Sequence, residues 1–136
     1  MRKQEVALSN IQIIAALDGL AALRQKELPI DIGFSLVDNL KTIRGRVEAY
    51  NEFRMDLIKK YAKLDEHGNP VVKPNGFIEF PDKDSETAAE KAIVDLNKVE
   101  VTDNYVLYTR QEFKAAGVPI TPATLEVLDW MFREEL

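Results

Sequence analysis

The sequence predicts an α+β fold: a long antiparallel helical hairpin with a small antiparallel β-sheet and shorter C-terminal helices. Three observations lead there. Nine positions from Leu36 to Leu64 follow an unbroken alternation of four- and three-residue steps, and all but Arg54 are apolar. Turn-forming residues then cluster between Asp65 and Gly76. After them, short apolar runs alternate with helix-capping motifs. Steps of four and three line one side of an α-helix, whereas short runs bounded by turn residues read as strands.

Taken in order, Ser9 is a good N-cap for a first helix that runs to about Lys26, with Ile13, Leu17, Leu20 and Ala21 as its stripe. Arg24 and Lys26 sit in its last turn, where the helix dipole favours cations. Leu28-Pro29 stops it, because a residue before proline avoids the helical region. Ile30-Asp31-Ile32 reads as an extended connection, and Gly33 or Ser35 opens the second helix. That helix carries Leu36, Leu40, Ile43, Val47, Tyr50, Arg54, Leu57, Tyr61 and Leu64 on one face. At about 30 residues it is roughly 45 Å long, and its stripe outruns the shorter first helix. The end from about Arg54 to Leu64 therefore calls for cover from the C-terminal helix or a second subunit. The candidate interaction residues are Val47, Tyr50, Arg54, Leu57, Tyr61 and Leu64. Gly45 lies off the stripe, as a glycine on the solvent face.

Asp65-Glu66-His67-Gly68-Asn69-Pro70 ends the helix. Val71-Val72 and Phe77-Ile78-Glu79-Phe80 flank Lys73-Pro74-Asn75-Gly76, the pattern of a β-hairpin. Ser85 to Leu96 reads as a short helix with Ala88, Ala89, Ala92, Ile93 and Leu96 inward. Val99-Glu100-Val101 and Tyr105-Val106-Leu107-Tyr108 read as strand, split by Asp103-Asn104. Thr109 and Glu112 have capping-box spacing and open a few helical turns that end at Gly117. Thr121-Pro122 starts a last helix that buries Leu125, Leu128, Met131 and Phe132, flanked by Val127 and Trp130.

A chain of 136 residues is most economically one domain, 1–136, with the hairpin over 9–64 and the mixed segment over 65–136. The net charge of -5 argues against a general nucleic-acid binder, whose affinity comes from neutralising phosphates. The absence of cysteine excludes disulfides and thiol catalysis. The charged N-terminus, Met1 to Glu5, lacks the pattern of a signal peptide, and the run from Ile11 to Leu23 is too short and too polar to cross a membrane.

No catalytic or cofactor motif stands out, and no metal site is expected. His67, the only histidine, lies in a turn, and Asp-x-His-x-Asn fails as a calcium loop because Pro70 and Gly76 occupy its key positions. The carboxylate pairs Asp82/Asp84 and Glu134/Glu135 sit at ends and read as solvated. Ser9, Ser35 and Ser85 read as helix caps, not nucleophiles. Lys41, Arg44, Arg46, Arg54, Lys59, Lys60 and Lys63 make the second helix locally basic, but Glu48, Glu52 and Asp56 interleave, as on a solvated face. Arg54 at the seam either sets register or keeps its head in water while its stem packs.

The ordered set of segments resembles an uncharacterised family of small proteins from tailed bacteriophages. The segments are Leu28-Pro29-Ile30, Ala49 to Arg54, Leu57 to Tyr61, Asp65 to Pro70, Val99-Glu100-Val101 and Ile120-Thr121-Pro122 with Leu125, Leu128, Asp129 and Met131. The resemblance implies a phage product acting through assembly or protein contact, with no established catalytic residues to carry over, in the host cytoplasm or incorporated in the virion. Its expected partners are itself, as a homo-oligomer, or another phage or host protein. A virion or assembly component is the leading expectation. An inhibitor of a host protein and a weak nucleic-acid contact along the second helix are the alternatives.

Overall fold

The structure, a computed structural model, describes residues 2–134. It is α+β, and the chain forms two compact units: residues up to Val47 together with those from Glu100 onward, and Glu48–Val99.

In the first unit the chain starts with strand β1 (Lys3–Ser9), a strand absent from the sequence reading. Val6 and Leu8 point inward while Lys3, Glu5 and Ala7 are exposed, so only two apolar residues announce it. Helix α1 (Asn10–Arg24) follows, capped as expected by Ser9. The cap is reciprocal: Gln12 donates its N–H to Ser9 Oγ, and Ser9 donates its own N–H to Gln12 Oε1.

Helix α2 (Ile30–Tyr61) is one continuous helix of 32 residues. It opens earlier than expected: Ile30-Asp31-Ile32 is its first turn, not an extended link. Gly33 N–H already donates to Pro29 O at 2.9 Å, and a proline at a helix entry loses nothing because its position needs no donor. Ser35 is therefore inside the helix, not its cap. Residues 30–47 of α2 belong to the first unit and residues 48–61 to the second.

Strand β2 (Glu100–Val106) runs unbroken through Asp103-Asn104 and pairs antiparallel with β1, from Lys3 against Val106 to Ser9 against Glu100. Strand β3 (Tyr108–Thr109) leads into α4 (Arg110–Ala115), with the predicted capping box on Thr109 and Glu112. Gly117, at φ 69°, takes the left-handed conformation that ends the helix. Helix α5 (Pro122–Leu128) is capped by Thr121. It is shorter than the pattern suggested. A 3-10 turn over Asp129–Met131 and strand β4 (Phe132–Arg133) complete the described chain, with β4 parallel to β3. Leu128, Met131 and Phe132 are buried, but Leu125 is 37% exposed.

The core of this unit joins inward residues of β1, α1, α2, β2 and the C-terminal segment, among them Ile13, Leu23, Ile43, Tyr105, Tyr108 and Leu128. Helix α1 packs on α5 closely enough that a Cβ on Gly19 would lie 2.7 Å from Val127 Cγ2.

In the second unit α2 ends at Tyr61, so Leu64 lies beyond the helix rather than on it. The expected hairpin is reduced to one isolated bridge, Val72 with Ile78, and a second bridge joins Leu64 with Pro70 before it. The turn between Val72 and Ile78 is present, with Lys73 N–H donating to Phe77 O at 2.7 Å and Gly76 at φ 88°. Helix α3 (Lys83–Lys98) starts earlier than expected and is capped by Asp82, not Ser85. Tyr50 donates its hydroxyl to Asn97 Oδ1 at 2.5 Å, tying α2 to α3.

Candidate interaction surfaces

The expected interaction residues fall in different settings. Val47 is half-buried and packed on the core of the first unit. Tyr50 is buried. Arg54 is exposed, Leu57 and Tyr61 are half-buried, and Leu64 is exposed after the helix. In the last turn Ile58 and Ala62, one residue past Leu57 and Tyr61, are the buried pair. Nearer the start of α2 the stripe of Leu36, Leu40 and Ile43 is sheltered within the chain.

Side-chain polar contacts hold that first half of α2 in place. Asn39, only 1% exposed, donates Nδ2–H to Val106 O and accepts Val106 N–H on Oδ1, both at 2.8 Å. The carboxamide thus acts as a one-residue third strand on β2, satisfying an N–H and a C=O that face away from β1. Nearly two helical turns further on, Arg46 binds Asp103 through both Nε (2.7 Å) and Nη2 (2.8 Å). The hydrogen bond to Asp103 raises the Arg46 pKa further, so the guanidinium stays charged. Arg46 is therefore withdrawn from the basic face, and Lys63 sits 3.8 Å from Glu79.

The other groups with shifted titration are structural in their bonding. Burial pushes Tyr105 and Tyr108 up to about 12. Tyr108 shares a hydrogen bond with Ser35 and packs edge-on against Phe113. Burial works to raise Glu112, but its bonds to Arg2 and Thr109 outweigh that and hold it low. Asp82 is lowered by the Ser85 N–H that it caps. Tyr105 Oη and Trp130 Nε1 are buried without a hydrogen-bond partner. His67 is exposed in its turn, where Asp65 Oδ1 accepts the N–H groups of His67 and Asn69. Among the described residues no three of His, Asp and Glu gather as metal ligands. Of the Glu134/Glu135 pair, Glu135 lies outside the described residues, as does Met1.

The surface that the sequence reading missed lies at the junction of α1 and α2. Ile30, Phe34 and Val37 are 76%, 68% and 42% exposed. Their four- and three-residue steps form a second apolar stripe, about 120° around α2 from Leu36, Leu40 and Ile43 at 3.6 residues per turn. Beside it is a groove of about 360 Å³, floored by Leu20, Leu36 and Leu40 and rimmed by Leu28, Arg24 and Lys26. Gly33 lines it with open space above, since a Cβ there would meet nothing within 4 Å. The signal was present in the spacing. It is hidden in the sequence because Ile30-Asp31-Ile32, directly after Pro29, reads as an extended link. In the second unit Phe53, Val72 and Phe77 are also more than half exposed.

No helix among the described residues is long and apolar enough to cross a membrane. Comparison with protein-family models, with curated proteins and with solved structures gives no match.

Proposed function

We propose that this chain is a non-enzymatic protein–protein interaction module that works through the apolar surface at the start of α2. The observation that carries this reading is the water-exposed stripe of Ile30, Phe34 and Val37 beside an open groove. Three large apolar side chains so exposed leave roughly 300 Å² in water, given 150–250 Å² for an aromatic side chain and less for the others. A contiguous apolar patch of this size on a monomer often marks a contact site. The non-enzymatic part is supported by the bonding of the shifted groups, each of which caps a helix, braces a strand or fills the core.

The resemblance in segment order to small tailed-phage proteins agrees with a virion or assembly component. The test is light scattering over a concentration series together with affinity capture from purified phage particles, for the native chain and for Phe34→Glu. We expect association, with itself or with a particle component, that the exposed substitution abolishes while circular dichroism is unchanged. Association that Phe34→Glu leaves intact would refute the assignment to this surface.

A further inference from the structure

We propose that the occupant of this surface is a second copy of the chain, paired in parallel through the start of α2 about a two-fold axis. This rests on the contact-module reading and adds the partner and the register. The stripe has heptad form: Ile30 and Val37 are seven apart, and Phe34 lies between them. Seams of this spacing pair helix with helix.

The charges choose the partner and its direction. Asp31 and Asp38, also seven apart, follow Ile30 and Val37 along one flank, and both are exposed. The opposite flank holds Gly33 and Leu40 and the groove, whose two charged lining residues are Arg24 and Lys26. None of these four charged side chains forms an ion pair among the described residues. Each copy therefore presents an acidic flank on one side of the stripe and a basic-rimmed groove on the other.

In a parallel two-fold pair the opposite flanks meet, so Asp31 and Asp38 of each copy face Arg24 and Lys26 of the other. An antiparallel two-fold pair sets acidic flank against acidic flank and basic against basic. Acid and base are balanced on this patch, although the whole chain carries -5. It is thus a place where two copies can meet without adding to their mutual repulsion.

The chain has no cysteine, so an introduced residue is the sole thiol. Under oxidation Val37→Cys is expected to form a disulfide dimer in high yield, and a mixture of Ile30→Cys with Lys41→Cys to give little mixed product. The reverse pattern overturns the parallel register. In sedimentation, Asp31→Lys with Asp38→Lys should weaken self-association by at least about tenfold, roughly 1.4 kcal/mol. Adding Arg24→Glu and Lys26→Glu to the same chain should restore it. All four positions are exposed, so no core contact is lost, and circular dichroism checks that the helix ends at Arg24 and Asp31 survive the reversal of charges that favour their dipoles. A native chain that stays monomeric at millimolar concentration overturns the second copy as occupant. If that monomer still captures a particle component in a Phe34-dependent way, the contact-module reading survives and this inference alone falls.

Discussion

Replacing Asn39 by leucine probes the contact that fastens α2 to the sheet. Leucine has the branched shape of asparagine, so the change opens no cavity; its bulkier methyls add crowding to the lost polar bonds. It leaves Val106 N–H and C=O unpaired at a site where Val106 is only 8% exposed. A buried backbone group without a partner costs about 1–3 kcal/mol. Two such groups predict a loss of about 2–6 kcal/mol, against the 5–15 kcal/mol typical of a folded domain. Urea unfolding measures it as a lowered midpoint with an unchanged slope. Amide exchange at Val106 should accelerate more than exchange within α3. Asn39→Asp is an internal control. As a neutral acid it can replace both bonds, but as a carboxylate it faces Val106 O without a proton. Its pKa is therefore raised in the folded state, and its deficit should grow as pH rises through the ordinary carboxyl range. A loss below about 0.5 kcal/mol for Asn39→Leu would show that the carboxamide is not the fastening described, since less than one net hydrogen bond would then be at stake.

Three further outcomes are expected. Gly19→Ala should lower the melting temperature although alanine is the better helix former, because its Cβ would lie 2.7 Å from Val127 and 2.8 Å from Leu128; overpacking of this kind costs about 1–3 kcal/mol. Tyr105 and Tyr108 keep their protons in the folded chain until about pH 12, whereas an unfolded tyrosine ionises near 10. The unfolded state thus binds fewer protons between these values, and stability should fall as pH rises through them, by roughly 2–3 kcal/mol per tyrosine. Tyr105→Phe should remove part of that fall and cost little at neutral pH, because its hydroxyl is buried without a partner; tyrosinate absorbance against pH checks both statements. Asp103→Asn should cost about 1 kcal/mol, less at high salt, because its pair with Arg46 is two-pronged but half open to solvent; urea midpoints at two salt concentrations measure it.

Local signals in this chain were readable where one residue controls a backbone bond. Ser9, Thr109 and Thr121 each mark a helix start, and Gly117 marks a helix end, because a cap is decided by the chemistry of its own few neighbours. Element edges were harder where the decision depended on packing. The pattern in α2 runs on to Leu64, but the helix stops at Tyr61. Residues Asp129 to Arg133 keep helical spacing, yet Asp129–Met131 tighten into a 3-10 turn and Phe132–Arg133 become strand β4, where β3 offers a ladder to join. Strand β1 has too few apolar residues to stand out, and it forms because β2 pairs with all seven of its residues.

The same division holds for the candidate surface. By itself the sequence determined an α+β chain built on one long helix, since a stripe sustained over many turns needs no distant partner to be helical. Which side of that helix remains in water was a tertiary decision. Leu36, Leu40 and Ile43 are hidden because they join one core with residues of β1, α1, β2 and the C-terminal segment, which come from elsewhere in the chain. Ile30, Phe34 and Val37 stay largely or partly open, because no element among the described residues closes over them. Periodicity states that a face is apolar, and only the folded arrangement states whether that face has been used.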